Sequence, residues 1–116
     1  MIKEELLNKL EFKIYRFSVN VFSFVKTLIE KKLSNQYSEA LLVKANDLYS
    51  SYVNLLDSFE NEGVVSGLFG IIEKSENCVT LFQDIELTGS ILNEKVDLAI
   101  EAFEISKQLK ELINKK

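Results

Sequence analysis

Three cationic side chains, Lys9, Lys13 and Arg16, recur three and four residues apart, which aligns them along one side of a helix as a row able to follow a phosphate backbone. Lys107 and Lys110 repeat the motif near the end of the chain, and together the five are the candidate nucleic-acid contacts. The same row also reads as a solvated face, since Glu5 and Lys9 form a favourable i,i+4 pair. Other chemistry has less to work with. The chain has no histidine, so it lacks the commonest general base and transition-metal ligand. Cys78 is the single cysteine, which rules out an intrachain disulfide, and its spacing places it on an apolar helix face as a small buried thiol. Glu73, Glu76, Asp84 and Glu86 resemble the carboxylates of di-metal bundles only in spacing, because those sites also need Glu-x-x-His motifs. The glycine-rich passage from Gly63 to Gly70 follows no strand and lacks a P-loop lysine. Its spacing sets Gly63 with Gly67 and Ser66 with Gly70 as small positions where a neighbouring helix comes close. No clustered nucleophile and base is found, so the expectation is a protein without enzymatic activity, metal or cofactor.

The element that must position the basic row is the first helix, expected from about Lys3 to Leu33. Leu7, Leu10, Ile14, Phe17, Val21, Phe24 and Leu28 alternate at three and four residues and form one continuous seam. A second line, Tyr15, Phe22, Val25 and Ile29, lies beside it, and Phe12 and Val19 widen the face further. One apolar stripe suffices for a helix on the outside of a small monomer, so the surplus predicts burial on two sides, the second against another copy of the chain. Phe12, Tyr15, Val19 and Phe22, with Tyr49 and Tyr52 of the second helix, are the candidate interface residues. The two tyrosines are also weighed as a stacking platform for bases and as core.

Three more amphipathic helices follow. Ser34 or Asn35 can cap the second, whose apolar positions are Leu42, Ala45, Tyr49, Tyr52, Leu56 and Phe59, flanked by Leu41, Leu48 and Leu55. Gly63 marks the expected break, although a single rod running through it is the alternative. The third helix aligns Val64, Leu68, Ile71, Ser75, Cys78, Phe82 and Ile85. Thr88-Gly89-Ser90 ends it and Asn93 is the expected cap of the fourth, which carries Val96, Ala99 and Phe103 beside a line of Leu98, Ala102, Ile105, Leu109 and Leu112. Short connections force antiparallel neighbours, so residues 1–116 are expected to form one all-α, up-down-up-down four-helix bundle. With 116 residues and 47% apolar content the chain can build a core unaided, and the absence of proline lets the helices run long.

The net charge of −4 is unevenly spread: +3 over residues 1–44, −10 over 45–106 and +3 over 107–116. Neighbouring first and last segments would make one basic flank opposite an acidic one, a dipolar surface suited to self-association or to a basic protein partner. Met1-Ile2-Lys3-Glu4-Glu5 does not open like a signal peptide and no apolar run approaches the roughly 20 residues that span a bilayer, so a cytoplasmic protein without a membrane association is expected.

Tyr15-Arg16-Phe17-Ser18-Val19-Asn20-Val21 through Val25-Lys26-Thr27-Leu28, then Leu42-Val43-Lys44, Glu73-Lys74-Ser75-Glu76 before Leu81-Phe82, and Thr88-Gly89-Ser90-Ile91 follow one another in an order that resembles the four-helix-bundle family of the 23S rRNA intervening-sequence protein (S23-like) and the accessory variability proteins of diversity-generating retroelements. The chain departs from that pattern in its Ser50-Ser51-Tyr52-Val53-Asn54-Leu55 segment, in having no tryptophan, and in being acidic where the retroelement proteins are basic. The resemblance implies a non-enzymatic bundle assembling into a ring-like homo-oligomer, commonly a pentamer, that acts as scaffold or accessory protein. Its other implication is a nucleic-acid-binding accessory subunit partnered with a reverse transcriptase.

Overall fold

The computed structural model describes residues 4–57 and 64–114, with the side chains of 64–66 left aside. Four helices make up the described chain: α1 (Glu4–Glu30), α2 (Gln36–Asp57), α3 (Val64–Asp84) and α4 (Ser90–Asn114). Each packs on its sequence neighbour, and α4 also closes against α1, which gives a four-cornered bundle 46 Å long and about 20 Å across. Cross-helix pairs fix the directions. Ser18 meets Asn46 while Leu7 meets Tyr52, Asp47 meets Lys74 while Leu55 lies beside Gly67, Ser75 meets Ala102 while Ile85 meets Lys95, and Lys13 meets Glu104 while Asn20 meets Glu101, so every adjacent pair runs antiparallel. The fold is the expected up-down-up-down bundle. Because α2 and α3 lie side by side, the single-rod alternative is ruled out; the expected break at Glu60–Gly63, like Phe59, lies outside the described residues.

The seven-residue seam of α1 is buried throughout, and Val25 joins it rather than the second line. Phe17 and Phe24 reach across the bundle to Phe82 of α3, with ring centroids 6.3 and 6.1 Å apart in tilted, edge-on arrangements that favour the ring quadrupoles. On α3 the expected line from Leu68 to Ile85 is buried, Ile72 included, and Cys78 is a buried free thiol. Buried polar groups are bonded: Ser75 Oγ donates to the Ala102 carbonyl of α4 at 2.6 Å, and among the described residues no buried side-chain polar atom lacks a partner. Gly67 permits the close approach of α2, since a Cβ placed there would lie 2.5 Å from Leu55 Cδ1. Gly70 faces open space and serves no such contact.

Two helix boundaries differ from expectation, the end of α1 and the start of α4, while the cap of α2 is one of the two residues expected. α1 ends at Glu30, and Lys32 takes a left-handed conformation (φ 58°), with Leu33 N–H bonded to Leu28 O and Lys32 N–H to Ile29 O, the paired reversal that closes a helix end. α2 is capped by Asn35, whose Oδ1 accepts from the amides of Tyr37 and Ser38 while buried Ser38 Oγ accepts from the Asn35 amide. Asn93 is not a cap. α4 begins at Ser90, directly after Gly89 (φ 71°), because an earlier start turns Ile91 into the core. Lys95 then reaches back to donate to the Ile85 carbonyl just beyond the end of α3.

Candidate interaction surface

Phe12, Tyr15, Val19 and Phe22 stand in one line along the outer side of α1, on the flank nearer α2, and all four are exposed, Phe12 to 62% and Phe22 to 58%. They are successive positions three, four and three residues apart, the same rhythm as the buried seam on the other side of the helix. At about 200 Å² for a whole aromatic side chain, the four leave on the order of 400 Å² of apolar surface in contact with water. The largest apolar patch on a typical monomer covers about 300 to 600 Å² and is often functional. The line is also braced. Tyr15 packs on half-buried Tyr49 of α2 with centroids 5.5 Å apart, and the Arg16 guanidinium lies 5.9 Å over the Phe12 ring, so both aromatics are held by neighbours.

Tyr52 does not belong to this surface. It is fully buried in the core and its hydroxyl donates to the Leu7 carbonyl at 2.7 Å, which removes it from both the interface and the base-stacking readings. The reason is register: four residues beyond Leu48 it falls on the inward line of α2, whereas Tyr49 falls toward α1.

The basic residues divide differently from the expectation of a single flank. Lys9 pairs with Glu5 at 3.3 Å, Lys13 with Glu104 of α4 at 3.2 Å, and Lys110 with Glu76 of α3 at 3.3 Å. Lys9 and Lys13 therefore look across the α1–α4 groove at Gln108 and Glu111, while Lys110 turns the other way, toward α3. The adjacency of first and last helices was foreseen, but α4 presents carboxylates to α1 and the seam between them carries mixed charge. Glu101 lies in this seam; burial raises its pKa above the ordinary 4.5, against the opposing pull of Asn20, Arg16 and Lys13. Asp47 shifts the other way, its carboxyl held below 3.8 by the bond from Lys74. Lys107 is exposed and makes no ion pair among the described residues.

A second apolar surface escaped the sequence reading. Val96, Ile100 and Phe103 are 44%, 51% and 61% exposed on the outside of α4, where with Val79 and Ala99 they line a shallow hollow of about 340 Å³ between α3 and α4. Of the two apolar lines expected on this helix, the Leu98–Leu112 line occupies the core and Val96 and Phe103 lie outside it. The signal was the presence of two apolar lines on one helix, as on α1. Among the described residues no three Cys, Asp or Glu side chains gather as a metal site, and no helix is long and apolar enough to cross a membrane. No family model, curated protein or solved structure matches the chain.

Proposed function

We propose that this chain is a non-enzymatic, homo-oligomeric four-helix-bundle scaffold or accessory protein, of the kind implied by its resemblance to the 23S rRNA intervening-sequence proteins. The observation that carries the reading is the braced aromatic line of Phe12, Tyr15, Val19 and Phe22, which the chain's own helices leave uncovered although its core is complete without it. Burying an exposed Phe is worth about 1.5 to 3 kcal/mol, so covering the line with protein offers a gain that the isolated bundle forgoes. The nucleic-acid alternative rests on Lys9, Lys13, Arg16, Lys107 and Lys110, three of which are already matched by the bundle's own carboxylates. Self-association is accordingly the better supported of the two.

Replacing Phe12 and Phe22 together by serine tests the proposal. Gel filtration should show the double variant eluting later than the unaltered chain, with helicity and thermal midpoint preserved at the monomer level because neither side chain belongs to the core. An unchanged elution volume would contradict it.

A further inference from the structure

We propose that self-association is face to back, with the aromatic line of α1 in one copy lying antiparallel on the outer line of α4 in the next. This rests on the homo-oligomer reading above and adds to it the identity of both faces. The outward positions of α1 are 5, 8, 12, 15, 19 and 22, with intervals of three, four, three, four and three residues; read backward, those of α4 are 110, 107, 103, 100, 96 and 93, with the same intervals. Two antiparallel helices carrying that common rhythm can mesh without slipping. A single register then sets Phe12 on Phe103, Tyr15 on Ile100 and Val19 on Val96. It also brings the acidic first turn of α1, at Glu5, level with Lys110, and Asn8 level with Lys107. Apolar meets apolar at three of the six levels and acid meets base at one, while Phe22 lies level with Asn93 at the end of the seam. The existing partners of Glu5 and Lys110 are pairs on the open surface, which are readily exchanged.

The competing arrangement is a two-fold pair through α1 alone. Antiparallel α1 on α1 also matches apolar residues at its centre, Phe12 with Phe22 and Tyr15 with Val19, but it sets Glu5 level with Ile29 and leaves Val96, Ile100 and Phe103 in water. Face-to-back contact covers both lines. The apolar side chains of the two faces, roughly 400 Å² and 300 Å² at about 200 Å² per aromatic, come with their polar ends to the lower limit of about 1,000 Å² for a specific interface. Within one chain α1 and α4 already run antiparallel, so antiparallel contact between copies keeps all bundle axes pointing the same way. Each copy then has one of each face to offer, and the assembly grows past a pair until it closes as a ring or continues as a row.

Variants with one added cysteine separate the arrangements, because the native Cys78 is buried and the unaltered chain is expected to give no cross-link of its own. Tyr15→Cys and Ile100→Cys, made in chains of different tag length, are mixed and treated with a short bis-maleimide. The expected product joins one chain of each kind, and the double variant in a single chain yields a ladder of covalent multimers. Dimers of Tyr15→Cys with itself would overturn face-to-back packing while leaving self-association intact, as would an oligomeric mass with no cross-link in any mixture. A monomeric mass would overturn both. As a readout free of cysteine, Glu5→Lys and Lys110→Glu should each weaken association several-fold and the pair together should restore it; no restoration would count against the register.

Discussion

Lys32 is the residue at which the chain departs furthest from its own best interest. It holds a left-handed conformation that closes α1, where a side chain strains against the backbone and glycine does not. Lys32→Gly should raise stability by about 0.5 to 1 kcal/mol in urea denaturation; a loss would mean that the lysine side chain makes a contact that outweighs its strain. Cys78 and Tyr52 set the alkaline limit. Burial pushes the Cys78 thiol from its ordinary 9.0 up to about 12 and raises the Tyr52 phenol above 10.0, in the latter case aided by Glu11. Both groups hold their protons more tightly folded than unfolded, so their contribution is complete below about pH 9 and declines as pH rises toward 12. Each group can account for at most about 1.4 kcal/mol per pH unit. Thermal midpoints should be level from pH 7 to 9 and fall beyond it, whereas a flat profile to pH 11 would show that one or both are not sealed. A core position was among the sequence readings of Tyr52, but its acceptor, the Leu7 carbonyl 45 residues away, was not legible there.

At the scale of elements, two glycines three residues apart on α3 behave differently. Gly70→Ala meets nothing and gains helix propensity, an expected stabilisation of about 0.5 to 1 kcal/mol. Gly67→Ala must turn the flexible end of Leu55 aside, so its gain should be smaller than that of Gly70→Ala. Equal melting temperatures for the two variants would deny the close approach of α2 and α3. The helices themselves were legible in the sequence where one apolar line dominated: the buried seams of α1 and α3 are those that three-and-four spacing picks out. On α4 two lines of similar apolar content compete, and spacing alone does not say which faces in; the choice is made by α1 and α3, whose surfaces receive Leu98, Ala102, Ile105 and Leu109. The start of α4 was misplaced for a related reason. Asn93 has the chemistry of a cap, but burial of Ile91 draws the helix back to Ser90.

For the molecule as a whole, the four-helix count and direction followed from short connections and heptad-like seams, while the distribution of charge did not follow from segment totals. Lys13 and Glu104 meet where a basic flank was expected, since an antiparallel neighbour brings in its own carboxylates. The surplus of apolar residues on α1 was legible as a surplus, and the bundle places most of it outside a finished core. That arrangement gives the account its direct test, the mass of the unaltered chain by light scattering at micromolar concentration. The result expected is a value at least three times the 13.3 kDa of one chain. A value of 13.3 kDa, unchanged on raising the concentration, would contradict it.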